Sequence, residues 1–114
     1  MRDTYKTGLF SEFIARMYLR VHGFRILERR YVVGRNTGRA EIDIIARRKN
    51  LLIFVEVKYR PDLNTALGAV SGPQITRLRR SAELYLMQRR WGGDARFDII
   101  AVMPYKIRWI RGAI

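Results

Sequence analysis

The sequence predicts an α/β fold in which a central mixed β-sheet of about five strands is flanked by helices, in the order α-β-β-β-α-β-β. Two segments, at about 6–22 and 71–90, repeat apolar residues every three or four positions and predict the helices. Short β-branched runs between and after them predict the strands. A chain of 114 residues can bury one modest core, so we expect a single domain, 1–114.

The first predicted helix runs from about Lys6 to His22 and ends at Gly23, a residue that favours a left-handed cap. Seven apolar residues are expected to form one stripe along it: Leu9, Phe10, Phe13, Ile14, Met17, Tyr18 and Val21. The period then changes to two from Phe24 to Val33, which predicts an exposed strand. The turn-rich segment 34–38 predicts a basic loop.

The two central strands are predicted at Glu41–Arg48 and Leu51–Lys58, and Lys49-Asn50 is a connection short enough for a tight hairpin. Both runs are apolar on both faces, as in strands that are covered on each side. If Arg48 pairs with Leu51, Asp43 lies opposite Glu56 and Glu41 lies opposite Lys58. Four ionisable groups then converge at one end of the hairpin, provided that the register is correct.

The remaining segments complete the sheet. Residues 59–71 contain Pro, Asp, Asn and Gly and are predicted to be a loop. Ser71-Gly-Pro-Gln74 is typical of a helix start, with Ser as cap and Gln at the capping-box position. Phe97–Met103 is predicted to be a buried strand, and the alternating segment Ile107–Arg111 an edge strand. The residues expected to be buried on the second helix are Ile75, Leu78, Ala82, Tyr85 and Leu86.

Charge predicts the class of partner. The chain has 23 Lys and Arg against 10 Asp and Glu, a formal net charge of +13, and 19 of the basic residues are Arg. Nucleic acid is the expected partner because Arg suits bidentate phosphate contacts; an anionic membrane is the second choice, weakened by the lack of a basic amphipathic helix carrying Trp or Phe.

The absence of Cys excludes disulfides and thiolate sites, and one His excludes a multi-histidine metal site. The first six residues lack a signal-peptide stretch, so we expect a cytoplasmic protein.

The acidic residues at the hairpin end indicate a chemistry. Two carboxylates opposed on adjacent strands repel each other, and a divalent cation such as Mg²⁺ relieves that repulsion. Lys58 beside Asp43 and Glu56 could orient a water or stabilise charge on phosphorus during phosphodiester hydrolysis. The alternative is a structural ionic cluster in which Lys and Arg neutralise the acids.

Asp43, followed on the next strand by Glu56-Val57-Lys58, resembles the D…(D/E)XK signature of the restriction-endonuclease-like (PD-(D/E)XK) nuclease superfamily. The wider pattern resembles the YraN-like family within it, and it covers nearly the whole chain in order. The matching segments are Gly8-x-x-x-Glu12-x-x-Ala15, Gly23–Leu27, Glu41–Ala46, Phe54-Val-Glu-Val-Lys-x-Arg60, Ala82-x-x-Tyr85-Leu86 and Arg96-Phe97-Asp98.

This resemblance implies a restriction-endonuclease-like fold, similar to that of archaeal Holliday-junction resolvases. It also implies Mg²⁺ or Mn²⁺ held by Asp43, Glu56 and the Val57 carbonyl, and a catalytic Lys58. Glu12 becomes an auxiliary acid and Gln74 a polar group near the phosphate. The sequence departs from the pattern in having Ile42 for proline, Ala40 for a usual Gly, and Gln74 where Lys is expected.

Three of these residues also have plainer interpretations. Glu12 is spaced for a surface ion pair with Arg16, Gln74 for the capping box, and Glu41 is placed to be the counter-ion of Lys58.

The expected function is a metal-dependent DNA endonuclease, with selectivity for branched DNA left open. One such site cuts one strand, so cleavage of both strands would require a homodimer. A non-catalytic nucleic-acid-binding domain of the same fold is the alternative, and an RNA- or ribosome-associated basic protein is a third. The residues expected to contact the nucleic-acid backbone are Arg35, Arg39, Arg60, Arg77 and Arg80.

Overall fold

A computed structural model describes residues 4–32 and 40–114. The predicted loop 34–38, which contains Arg35, lies outside these residues, and so does Arg39. The helices and strands in chain order are α1 (Thr4–Val21), β1 (Arg25–Tyr31), β2 (Ile42–Arg48), β3 (Leu51–Tyr59), α2 (Leu63–Gly68), α3 (Gly72–Arg89), β4 (Asp94–Met103) and β5 (Lys106–Ile110). In the described part of the chain, neither long helix is apolar enough to span a membrane.

The five strands form one sheet in the order β1-β2-β3-β4-β5. β3 and β4 are parallel and the other neighbours are antiparallel, so the sheet is mixed. A parallel pair needs a long crossover connection, and the segment containing α3 supplies it. The predicted α/β fold, with a mixed five-stranded sheet between helices, is confirmed and is compatible with the restriction-endonuclease-like architecture.

The β2–β3 hairpin has the predicted register. Arg48 pairs with Leu51, and the ladder continues without a shift to Ile44 opposite Val55. Lys49, in the two-residue turn, has a φ of 54°, the left-handed conformation that such tight turns require. The register therefore directs Asp43 and Glu56 to the same end of the sheet.

The core has a layer on each face of the sheet. Ala15 and Leu19 of α1 pack over one face, while Leu78, Ala82 and Tyr85 of α3 pack over the other. The C-terminal cap of α3 is Arg90 in the left-handed conformation, which agrees with the predicted end of this helix at about residue 90. The helix start is also as predicted, since the Ser71 hydroxyl accepts a hydrogen bond from the Gln74 main-chain N–H.

The prediction that the apolar residues of α1 form one buried stripe is wrong. The fully buried line on this helix is Ser11, Ala15 and Leu19, with Ile14 and Tyr18 beside it. The seven predicted residues span more of the helix circumference than one sheet face can cover. Five of them are exposed instead: Leu9, Phe10, Phe13, Met17 and Val21.

A short helix, α2, replaces part of the loop predicted at 59–71. Asp62 caps it by accepting a hydrogen bond of 2.8 Å from the Thr65 main-chain N–H. Ala66 is fully buried against Ala101 and Met103 of β4. The turn-forming composition concealed this helix, whose stability comes from its cap and from that contact.

Asp98 of β4 is fully buried and ties the last strands together. It accepts two hydrogen bonds of 2.8 Å from the Arg96 guanidinium, one of 2.8 Å from the Trp109 indole and one of 2.9 Å from the Gly112 main-chain N–H. We expect Asp98→Ala to lower the free energy of unfolding by about 3 kcal/mol, because it leaves these donors without their acceptor. Urea denaturation measures this change.

Asp94→Ala is the control for this prediction, since Asp94 is exposed at the start of the same strand. Its effect should stay within about 0.5 kcal/mol. Equal losses of stability in the two variants would contradict a specific role for the Asp98 network.

Candidate functional site

The site begins where the β2–β3 ladder stops. Beyond the Ile44–Val55 pair, the Asp43 carboxylate accepts a hydrogen bond of 2.8 Å from the Val57 main-chain N–H. The side chain thus takes a position that a strand carbonyl would otherwise hold. Ile42, which stands where the nuclease motif has proline, is buried in the core layer under α3. Asp43 is therefore fixed between a packed residue and the neighbouring strand.

Glu56 is almost completely buried, with 3% of its surface exposed. Its Oε2 lies 3.6 Å from Lys58 Nζ and 3.4 Å from Gln74 Nε2. Its Oε1 is buried and, among the described residues, has no hydrogen-bond donor. A buried carboxylate oxygen without a donor is costly, so this atom is suited to receive a cation or a proton.

Two further carboxylates, those of Glu12 and Glu41, lie close to Asp43. Ligand atoms of Glu12, Glu41 and Asp43 all lie within 4.8 Å of each other, whereas Glu56 is not part of that set. Asp43 therefore has Glu12 and Glu41 close to it and shares its cleft with Glu56. The structure brings the predicted ligands Asp43 and Glu56 into one cleft, and it adds Glu12 and Glu41 as oxygen donors next to Asp43.

The plainer interpretations of the acids can now be compared with the contacts. Glu12 pairs with Arg30 of β1, at 2.9 Å between Oε1 and Nε, rather than with Arg16. Lys58 pairs with Glu56 rather than with Glu41. The sequence did not indicate Arg30, because it is 18 residues from Glu12 and has a left-handed φ of 52° that strand periodicity does not predict.

Of the two roles predicted for Gln74, the capping box is only half formed, and a place near a phosphate stays a prediction. Its main-chain N–H is held by the Ser71 cap at 3.3 Å, and its side chain donates to Glu56 rather than completing a capping box. Because Gln is neutral, this residue orients the Glu56 carboxylate without neutralising it. The position at which Lys was expected therefore carries a hydrogen-bond donor and no charge.

These residues line a cleft of about 360 Å³ that is open to solvent. Arg77 of α3 lies on its wall, and its contact with the backbone of a nucleic acid stays a prediction. Arg60 lines an adjoining cleft of about 310 Å³, which shares Glu12, Val57 and Lys58 with the first. Arg80 is exposed further along α3, outside the described lining of both clefts.

Burial perturbs both central acids. It raises the pKa of Asp43 to about 7, against the lowering effect of the hydrogen bond from the Val57 N–H. Burial and then the negative charge of Asp43 raise the pKa of Glu56 to about 8, against the attraction of Lys58. The two acids therefore titrate as a coupled pair near neutral pH, and a bound cation would favour their charged forms.

The donor set fits a hard divalent cation. Mg²⁺ and Mn²⁺ prefer carboxylate, carbonyl and water oxygens, which the cleft offers through Asp43, Glu56 and the neighbouring Glu12 and Glu41. A bound cation would give the Glu56 oxygen a partner and would offset the repulsion between Asp43 and Glu56.

Together, the fold and the cleft define an α/β protein that gathers acids and one lysine at the end of its central hairpin. Residues 11–102 match the model of the uncharacterised protein family UPF0102, and the chain belongs to that family. It is 40% identical to a UPF0102 protein of Agrobacterium fabrum over 93% of this chain and 85% of that one. It is 37% identical to a UPF0102 protein of Shewanella frigidimarina, over 93% of this chain and 96% of that one.

A UPF0102 protein of Paramagnetospirillum magneticum is 35% identical over 90% of this chain and 81% of that one. The resemblance to the YraN-like family is confirmed at this level. Membership of the nuclease superfamily goes further than these matches and stays a prediction.

Proposed function

We propose that this protein is a Mg²⁺- or Mn²⁺-dependent endonuclease that hydrolyses phosphodiester bonds in DNA. The observation that carries the proposal is the Glu56 carboxylate, which is buried beside Asp43 and Lys58 with one oxygen that has no donor among the described residues. A structural ion pair with Lys58 alone would leave that oxygen and the Asp43 charge uncompensated. A divalent cation compensates both.

Asp43, Glu56 and the Val57 carbonyl would hold the cation, and Glu12 and Glu41 would supply further oxygen ligands near Asp43. The bound cation supplies Lewis-acid polarisation of a phosphoryl oxygen, which lowers the barrier to attack at phosphorus. Water attacks the phosphorus and one P–O ester bond breaks, leaving a phosphate monoester and a free hydroxyl group.

Lys58 stabilises the negative charge that grows on the phosphoryl oxygens during this step. Its ammonium group is held 3.6 Å from Glu56 Oε2 and so is already positioned at the cleft. Gln74 keeps the Glu56 carboxylate turned toward Lys58. Arg77, on the cleft wall, and Arg60, in the adjoining cleft, are the residues that we propose to contact phosphates next to the scissile bond.

The central experiment incubates the protein with plasmid, branched DNA and single strands in Mg²⁺, Mn²⁺ or EDTA. We expect cleavage that requires the metal and is lost in Asp43→Asn, which keeps the size of the side chain but removes its charge. Cleavage at the wild-type rate in Asp43→Asn would refute the assignment of the site. Binding of DNA without cleavage under every metal would favour the rival, a non-catalytic nucleic-acid-binding domain of the same fold.

A second prediction separates a role of Glu12 at the metal from its ion pair with Arg30. We expect Glu12→Gln to weaken Mn²⁺ binding by about tenfold or more, because it replaces a charged carboxylate by a neutral amide, a weaker ligand of a hard cation. Arg30→Gln breaks the same ion pair but keeps the carboxylate, so its Mn²⁺ affinity should not fall. Isothermal titration calorimetry measures both affinities, and equal weakening in the two variants would show that Glu12 acts only through Arg30.

The homodimer expected from the sequence stays a prediction. Two such clefts would be needed to cut both strands of a duplex or junction in one encounter. Sedimentation equilibrium with and without branched DNA tests it: a monomer in both conditions, together with cleavage of both strands, would contradict the requirement.

A further inference from the structure

A second group of charges lies at the opposite end of the central hairpin from Asp43 and Glu56. We define the basic hairpin surface as Arg25, Arg47, Arg48 and Lys49, all of which are exposed. With Gly23 they line an open pocket of about 550 Å³. None of the arginines expected to contact the nucleic acid belongs to this surface.

The pairing of β1 with β2 places two of these charges directly against each other. Arg25 is the cross-strand partner of Arg47. Like charges in directly opposed positions destabilise a sheet unless an anion lies between them. In the parts of the chain that the structure describes, none of the four basic residues forms an ion pair with a carboxylate. The surface is therefore a concentration of uncompensated positive charge.

Two of the guanidinium groups are also held in place. Arg47 donates from Nε to the Lys49 carbonyl at 2.8 Å, and its guanidinium lies 4.7 Å from the centroid of the Trp91 ring. Contacts of this kind fix the orientation of a guanidinium group and leave its other N–H donors for a ligand.

Arg48 is held in the same way on the other side of the turn. It donates to the His22 carbonyl at 3.0 Å and lies 5.1 Å from the centroid of the Phe24 ring. Gly23 permits this approach, since a Cβ at that position would lie 3.3 Å from the Arg48 side chain. Arginines fixed before binding lose less conformational entropy when they contact a phosphate.

We propose that the basic hairpin surface is a second phosphate-binding site, which holds the nucleic-acid backbone at a distance from the acidic cleft. Asp43 and Lys49 are six positions apart along β2 and its turn, or about 20 Å at the usual rise of a strand. Duplex DNA spans that distance in roughly six base pairs. One duplex, or two arms of a branched substrate, can therefore contact both ends of the hairpin. The choice of nucleic acid as the ligand rests on the proposed function, but binding is measurable without cleavage.

The test compares two double variants that remove the same charge. Arg25→Gln/Lys49→Asn changes the surface while sparing Arg47 and Arg48, and Asn tolerates the left-handed φ of Lys49. Lys106→Asn/Arg108→Gln changes two exposed residues of β5, on the far edge of the sheet. Binding of a 20-base-pair duplex is measured in EDTA by fluorescence anisotropy over a range of salt concentrations.

We expect Arg25→Gln/Lys49→Asn to reduce the slope of log affinity against log salt by about 2, one for each lost phosphate contact. The β5 variant should keep nearly the wild-type slope. Equal reductions in the two variants would overturn the proposal, because they would show a dependence on net charge alone. The wild type is also tested with tripolyphosphate. If it binds tripolyphosphate as tightly as it binds the duplex, the surface is a site for a small free anion, and this result would also overturn the proposal.

Two further results keep the outcome interpretable. Arg25→Gln alone should raise the midpoint of thermal unfolding, since it removes the repulsion from Arg47, and so it excludes misfolding as the cause of weak binding. Metal-dependent cleavage of a short DNA hairpin should persist in Arg25→Gln/Lys49→Asn. If the wild type cuts DNA but its affinity does not depend on this surface, the second site fails while the proposed function stands.

Discussion

Replacing Lys58 with Met should lower the rate of DNA cleavage by about 10²- to 10⁴-fold at saturating Mg²⁺, because it removes the cation that faces the developing phosphoryl charge. The ammonium group lies 3.6 Å from Glu56 Oε2 at the edge of the cleft, where the Met side chain can fill its volume but cannot donate or carry charge. Single-turnover cleavage of a labelled DNA measures the chemical step without product release.

Lys106→Met is the matched control, since it removes one exposed lysine from β5. Its cleavage rate should stay close to that of the wild type. DNA affinity in Ca²⁺ should fall by a similar small factor in both variants, which shows that Lys58 contributes to the reaction step. A rate that falls only as far as the affinity does would mean that Lys58 merely holds the substrate.

The double variant Asp43→Asn/Glu56→Gln should make the metal-free protein more stable than the wild type at high pH. Burial raises the pKa of Asp43 from 3.8 to about 7 and that of Glu56 from 4.5 to about 8. The native wild type therefore holds protons that the unfolded chain releases. The contribution of these two acids to the free energy of unfolding is fully present below about pH 4 and is lost as the pH rises through 7 and 8. At pH 9 the difference should be on the order of 2–4 kcal/mol in favour of the variant.

Chemical denaturation in EDTA at pH 5, 7 and 9 measures this effect, and the variant should show a flatter profile. Adding Mg²⁺ at pH 8 should stabilise the wild type, by about 2.7 kcal/mol at a hundred times its dissociation constant, and should not stabilise the variant. Parallel pH profiles for the two proteins would contradict the coupled titration. Equal stabilisation by Mg²⁺ would place the cation elsewhere.

The hairpin shows why part of the site could be predicted from sequence alone. A two-residue turn leaves one register for strands that are apolar on both faces, and that register places Asp43 near Glu56. The helix start at Ser71 could be predicted for a similar reason, because a capping residue acts on its own main chain. Both inferences rest on local interactions.

The features of the fold and site that the sequence did not predict depend on contacts between residues that are far apart in the chain. The position of Glu12 follows from how α1 crosses the sheet, and its pairing with Arg30 requires a left-handed backbone in β1. Periodicity shows that α1 is amphipathic but not which half of a broad apolar surface is covered, so the exposure of Phe10 and Phe13 could not be predicted. α2 was missed because its stability comes from the burial of Ala66 against β4.

The hydrogen bond from the Val57 N–H to Asp43 makes one side chain the terminus of the β2–β3 ladder. A substitution of Asp43 can therefore change how far β2 and β3 pair, as well as the charge at the end of the hairpin. A β-branched residue such as Val there would allow the two strands to pair one step further and close the gap in which the acids meet. The Asp43 side chain thus marks the point at which the pairing of β2 with β3 ends and the cleft begins. A loss of the proposed activity in Asp43→Val would report altered strand pairing as well as the loss of a ligand.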